Sequence, residues 1–207
     1  DSSITVLEGE QVEVTIPVLK LKEVPLKFEF SNVPAGYDPA ELNASISPAT
    51  IRIAGAADTV DGIESVNAGF INLARVQLGK AETLKIQLSE GLVNVDDVQE
   101  ATVTFDTSGY GEPRAITVSD IRVVNAPSGV DVKVITESIN NVTLVGEAEE
   151  LAAISPSDVI AQVDASAQNI TVKGSGQQQF SAQIIVTGTK TVFATGAYSV
   201  LCDITVK

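Results

Sequence analysis

The sequence predicts a mainly β protein of two tandem domains, each carrying one short helix, and three observations lead there. Apolar residues make up 44% of the 207 residues but aromatics only 4%, so the core is aliphatic. Val, Ile, Thr and Ala dominate it, a composition that favours strands over helices. Several segments alternate apolar and polar at the two-residue period of a half-buried strand. The chain also repeats itself.

The repeat centres on Ile51-Arg52-Ile53-Ala54-Gly55-Ala56-Ala57-Asp58, which returns as Val142-Thr143-Leu144-Val145-Gly146-Glu147-Ala148-Glu149 after a shift of 91 positions. Ile51 meets Val142, Ile53 meets Leu144, Gly55 meets Gly146, Ala57 meets Ala148, Val60 meets Leu151 and Ile63 meets Ile154. Two residues out of step, Val66-Asn67-Ala68 meets Val159-Ile160-Ala161. A period this long lies outside the roughly 20–50 residues of solenoids and propellers, so it marks two domains rather than an array. Each half has about a hundred residues, enough to bury its own core without metal or disulfide.

Taken in order, Gln11–Val18 alternates with Val12, Val14, Ile16 and Val18 on one face, and Pro17 places this strand at a sheet edge or bulge. Leu26–Phe30 is a second strand. Asn32-Val33-Pro34-Ala35-Gly36 is a turn, Pro fixing φ and Gly permitting a positive one. Its counterpart is Asn125-Ala126-Pro127-Ser128-Gly129. Ala44–Pro48 leads into a strand at Thr50–Ala54. After Gly55, Asp58 is placed to cap a short helix, with Val60, Ile63 and Val66 spaced to face the sheet. Phe70–Val76, Leu84–Leu88 and Ala101–Phe105 complete the first domain, residues 1–106. Residues 107–113, Thr-Ser-Gly-Tyr-Gly-Glu-Pro, have turn composition and form a short, semi-rigid linker. The second domain, 114–207, takes strands at Ala115–Val124, Val130–Ile135, Asn141–Val145, Val159–Val163, Ile170–Lys173, Gln179–Val186 and Thr191–Val206. Its last strand closes the sheet.

Composition also removes chemistry. There is no His, Trp or Met, so the commonest general base and metal ligand is absent. A single Cys excludes an intrachain disulfide and every Cys-cluster metal site. Cys202 alternates in step with Val200, Ile204 and Val206, as a buried small hydrophobe does. The net charge of −14 divides into −10 over residues 1–106 and −4 over 107–207. That balance argues against nucleic acid and anionic lipid as partners. No apolar run reaches the length of a membrane span. A mature secreted chain or an excised ectodomain explains the start at Asp1.

Acidic groups could in principle hold Ca²⁺: Asp96-Asp97 with Glu100, and Glu147 with Glu149-Glu150. Neither has the spacing of a dedicated calcium loop, and solvated turns or helix ends account for them. Asp58 and Asp61 flank a helix start, where carboxylates favour the dipole. Gly174-Ser175-Gly176 lacks the strand-to-helix setting of a phosphate loop. Carboxylate pairs could serve glycoside hydrolysis, but three Tyr, six Phe and no Trp supply little for a sugar cleft. The reading is therefore of no catalytic residue, no cofactor, no metal and no enzyme.

The order strand, Gly, short helix with Leu or Ile, then Val-x-Ala-x-Val-Asp resembles the YbbR-like domain. The second copy fits best: Asn141–Gly146, Leu151, Ile154 and Val159-Ile160-Ala161-Gln162-Val163-Asp164-Ala165. The Asn-x-Pro-x-Gly turns at 32–36 and 125–129 look like the family's upstream turn. Ala56 and Glu147 stand where a Pro commonly follows the glycine. Phe70-Ile71-Asn72-Leu73 replaces the Val-Asp-Leu element. The resemblance implies elongated domains with intertwined hairpins, carried outside the membrane of bacteria behind an N-terminal transmembrane helix absent from this chain. It implies action through contact: regulation of a membrane diadenylate cyclase, which makes cyclic di-AMP, or binding of another envelope protein. Membrane attachment would be through that anchor alone. The alternative is a structural or adhesive spacer in the cell envelope.

Overall fold

The computed structural model describes residues 18–206. The alternating segment Gln11–Val18 lies almost wholly outside them. In the first half the strands are β1 (Lys20–Ser31), β2 (Ala44–Ser47), β3 (Thr50–Gly55), β4 (Val66–Asn72), β5 (Glu82–Lys85), β6 (Val93–Asn94) and β7 (Glu100–Phe105), with helix α1 at Ala57–Asp61. The second half has β8 (Arg114–Val118), β9 (Asp120–Val124), β10 (Val130–Val134), β11 (Ile139–Val145), β12 (Val159–Asp164), β13 (Ser175–Val186), β14 (Phe193–Thr195) and β15 (Tyr198–Val206), with α2 at Ala148–Ala153. The described residues are mainly β, with one short α-helix in each half.

The two halves share one strand order. In the first, sheets run β4-β1-β3-β6 and β2-β7-β5; in the second, β10-β15-β13-β12-β9 and β14-β11-β8. Strand β1 pairs β3 antiparallel through Lys20–Pro25 and β4 in parallel through Leu26–Ser31. Its counterpart is divided: β8 pairs β11 antiparallel, and β9 pairs β12 in parallel. The reason is written in the side chains. In β1, Val24, Leu26, Phe28 and Phe30 keep one parity, whereas Ile116 and Val118 give way to Ile121 and Val123, and a change of parity turns a strand's apolar set to the other face. Ala115–Val124 is therefore two strands, broken at Ser119.

Other departures have equally local causes. Ile170–Lys173 forms no strand, because the Gln178 side chain takes the ladder's place: its Oε1 accepts from Thr171 N at 2.9 Å and its Nε2 donates to Asn169 O at 2.6 Å. Thr191–Val206 is divided between β14 and β15 at Gly196, whose φ is +115°. The last strand does not close the sheet; β15 lies inside it, between β10 and β13. Asp58 is not the cap of α1; Ala56 holds that position, and Asp58 sits in the first turn. Phe70–Val76 is displaced, its strand running from Val66 to Asn72.

The repeated positions superpose in role. Ile51, Ile53, Val60, Val142, Leu144 and Leu151 are all buried. The residues preceding α1 and α2 share a backbone conformation, φ −58° with ψ 140° at Ala56 and 139° at Glu147. In the upstream turns Asn32 and Asn125 have φ of 50° and 52°, and Gly36 and Gly129 have 85° and 78°. Tyr37 N donates to Pro34 O at 3.1 Å and Val130 N to Pro127 O at 3.0 Å, so each turn uses Gly where a positive φ is required.

One core belongs to each half. Val24, Leu26, Ile51, Ile53, Val66, Ala68 and Ala101 fill the first. Ile116, Leu144, Phe180, Val200 and Cys202 are among those that fill the second. A third apolar group joins the halves: Tyr37, Leu42, Ile71, Leu73, Val76, Val103 and Phe105 close over Val145 and Phe193.

Candidate interaction site at the joint

Burial at the joint is aromatic in a chain poor in aromatics. The Tyr37 and Phe193 rings lie 4.4 Å apart at 43°. One backbone bond crosses it, Gly196 N donating to Ala74 O at 2.6 Å, and two more tie the linker to the second half: Gly111 N donates to Gly146 O at 3.0 Å and Ala148 N to Gly109 O at 2.9 Å. The linker 107–113 is thereby fastened to the second half at both Gly109 and Gly111.

Tyr37 carries one unmet demand. Its hydroxyl is buried beside the Tyr110 hydroxyl but makes no hydrogen bond of good geometry. Burial, with Tyr110, Glu41 and Asp38 nearby, pushes its ionisation above the ordinary tyrosine range. A buried, unsatisfied hydroxyl costs about 1–3 kcal/mol. Tyr37→Phe is therefore expected to leave the ring packing intact and raise stability by about 1 kcal/mol in urea denaturation; a loss of that size would mean the hydroxyl is satisfied.

Beside this contact lies a groove of about 550 Å³, formed where the turn at Asn32–Pro34 and the segment Asn72–Arg75 face β12, β13 and the β14–β15 turn. Its lining is rich in carboxamides, and most are already engaged. Gln168 Oε1 accepts from Ser181 N at 3.1 Å and its Nε2 donates to Asp164 O at 3.2 Å. Asn72 Oδ1 accepts from Ala74 N at 3.0 Å. Asp164 accepts from Asn125 Nδ2 at 3.0 Å and from Ser166 Oγ at 2.7 Å, and these bonds hold its carboxyl below the usual range. Arg75 is exposed on the rim. Such a lining offers donors and acceptors to a polar surface but places no nucleophile beside a base. It is suited to contact.

Four of the eight acidic residues singled out in the sequence are tied up locally. Asp96 accepts from Arg52 N and Nε, both at 2.7 Å, which draws its carboxyl below the usual range. Asp97 takes Gln99 Nε2 at 2.8 Å. Asp61 pairs with Lys20 at 2.5 Å. Glu150 accepts from the Thr189 hydroxyl and from Thr191 Oγ1, the latter at 2.7 Å. Among the described residues no three His, Cys, Asp or Glu are grouped to hold a metal ion. Cys202 is fully buried, and burial raises its thiol's pKa. Gly174 O accepts from Val206 N at 2.6 Å, closing a hairpin end.

The Thr189 and Thr191 hydroxyls lower the Glu150 pKa from its ordinary value. A depressed folded value gives stability that is present above the unfolded pKa, about 4.3, and is lost as pH falls through the folded one. Glu150→Gln should therefore be less stable than the parent at neutral pH, with the gap narrowing toward about pH 3. Urea midpoints at both pH values check this; a gap independent of pH would contradict it.

Residues 24–118 match the family of YbbR-like proteins. The matched stretch starts on β1 and ends on β8, its counterpart, so it covers about one repeat and falls mainly on the first copy, although the motif is cleaner in the second. A crystal structure of a YbbR-like protein from Streptococcus pneumoniae is 18% identical, covering 96% of this chain and 99% of that one, with a TM-score of 0.34. A solution structure of a Streptococcus thermophilus protein is 20% identical over 42% of this chain and 84% of that one, with a TM-score of 0.34. No curated protein matches.

Proposed function

Because this chain carries a YbbR-like domain over residues 24–118, we propose that it is a non-catalytic, extracytoplasmic module of a membrane-anchored bacterial protein that acts by protein–protein contact. Its partner is a membrane diadenylate cyclase, whose synthesis of cyclic di-AMP it modulates. The family match is the observation that carries this reading. Support comes from the fastened joint and its polar groove, which present parts of both halves as one surface. Docking there would shift the cyclase between arrangements by differential affinity. No helix of the described residues is long and apolar enough to cross a membrane.

The buried joint also favours a second reading. Two domains held by the Tyr37–Phe193 contact and the Gly196–Ala74 backbone bond, with the linker fastened to the second, would serve as a stiff envelope spacer.

The test is cyclic di-AMP in cells co-expressing the cyclase with a membrane-tethered form of the chain. A reproducible rise or fall, lost on removing the tether, supports the regulator. Unchanged nucleotide and no co-purification of the cyclase would leave the spacer.

A further inference from the structure

The Tyr37 side chain is 7% exposed, and its hydroxyl makes no hydrogen bond of good geometry. A buried polar group left in that state marks stored strain or a place where something else binds. Its neighbour is the hydroxyl of Tyr110, a linker residue that is only partly buried. Three carboxylates gather round this pair from both sides of the joint. Asp38 and Glu41 follow Tyr37 in the chain: Asp38 Oδ1 accepts from Ala40 N at 3.0 Å, and Glu41 ends the short 3-10 helix Pro39–Glu41. Glu147 belongs to the second half and is set opposite Tyr110 by a single antiparallel bridge. Glu41 lies near both hydroxyls, Asp38 near that of Tyr37 and Glu147 near that of Tyr110. All three are exposed, and among the described residues none pairs with a cation.

Carboxylates without a cation, on a chain of net charge −14, favour a positive ligand. Their spacing decides which kind. Among the described residues no three are grouped to hold a metal ion, so a point charge does not collect them. A guanidinium presents five donors in a planar fork, reaches several acceptors at once and stacks on tyrosine.

We propose that Asp38, Glu41, Glu147 and the Tyr110 hydroxyl form an acceptor site, shared by the two halves, for an arginine side chain of the partner protein. The inference rests on the proposed function, in which the chain acts by protein–protein contact. The guanidinium donates to the carboxylates and to the Tyr110 oxygen. Fixing the Tyr110 hydroxyl in this way gives Tyr37 the acceptor it lacks.

The test co-expresses the membrane-tethered chain with the diadenylate cyclase and reads both co-purification and cyclic di-AMP. The site variant is Asp38→Asn, Glu41→Gln and Glu147→Gln together. Glu64→Gln, Glu90→Gln and Glu100→Gln remove the same charge from exposed positions elsewhere. The parent should capture the cyclase and change the nucleotide level. The site variant should weaken capture about tenfold or more, and the control variant should keep it. Tyr37→Phe should also bind more weakly although it is the more stable protein, which loss of packing would not produce. At equal ionic strength, arginine amide should release captured cyclase at lower concentration than lysine amide. A site variant that captures like the parent, or two triple variants equally impaired, overturns the site and leaves the proposed function standing. Equal release by the two amides overturns the guanidinium. A parent that neither captures the cyclase nor changes the nucleotide overturns the proposed function, and this site with it.

Discussion

Replacing Gly146 by alanine is expected to destabilise the protein by about 3 kcal/mol, at the upper end of overpacking costs. A Cβ at this position would lie 2.4 Å from Thr191 O, 2.7 Å from Val192 Cα and 2.8 Å from Val192 Cγ2. Two of these are backbone atoms and cannot swing aside. The segment they belong to leads into β14, so relief would pull Phe193 from the joint. Gly55, the same position one repeat earlier, meets Gly91 O and Leu92 Cδ2 at 3.0 Å, so Gly55→Ala should cost less, about 1–2 kcal/mol. Urea denaturation of both variants checks the order. A Gly146→Ala protein as stable as its parent would show that the close approach is not required.

Phe193→Ala carries the other large expectation. The ring is 1% exposed and packs on Tyr37 at the joint. Loss of a buried phenylalanine costs about 3–5 kcal/mol, transfer and cavity together. The position adds a second signature. Phe193 and Val145 are the second half's share of the apolar group that couples the halves, so the parent should unfold in one transition and Phe193→Ala in two. Phe193→Leu retains much of the volume, should lose about 1–1.5 kcal/mol and should keep the single transition. Equal effects of Ala and Leu, with one transition in both, would place the coupling elsewhere.

Much of the fold was legible because each half obeys short-range rules. The burial of Ile51, Ile53, Val142 and Leu144 follows from alternation, and the turns at 32–36 and 125–129 follow from Pro and Gly. The break at Ser119 was legible too, in the parity change from Ile116 and Val118 to Ile121 and Val123, though the run reads as one strand if composition alone is weighed. The failure at Ile170–Lys173 was not legible: a glutamine eight residues beyond Ile170 satisfies the backbone that a neighbouring strand would have satisfied.

The groove and joint had a fainter signal. Tyr37 against Val130 and Phe193 against Val93 are aromatic-for-valine differences between equivalent positions, but the equivalence of 93 and 193 rests on register, since insertions shift the repeat from 91 to 100 positions.

By itself the sequence determined the class, the repeat, the position of each short helix and the absence of His, because these depend on residue type and on spacings within a few residues. Only the tertiary structure decided which outer face is covered. Ala54–Val93 and Val145–Phe193 have the same local pattern, yet Val93 is half exposed while Phe193 is buried, because burial there depends on which surface the linker brings against it.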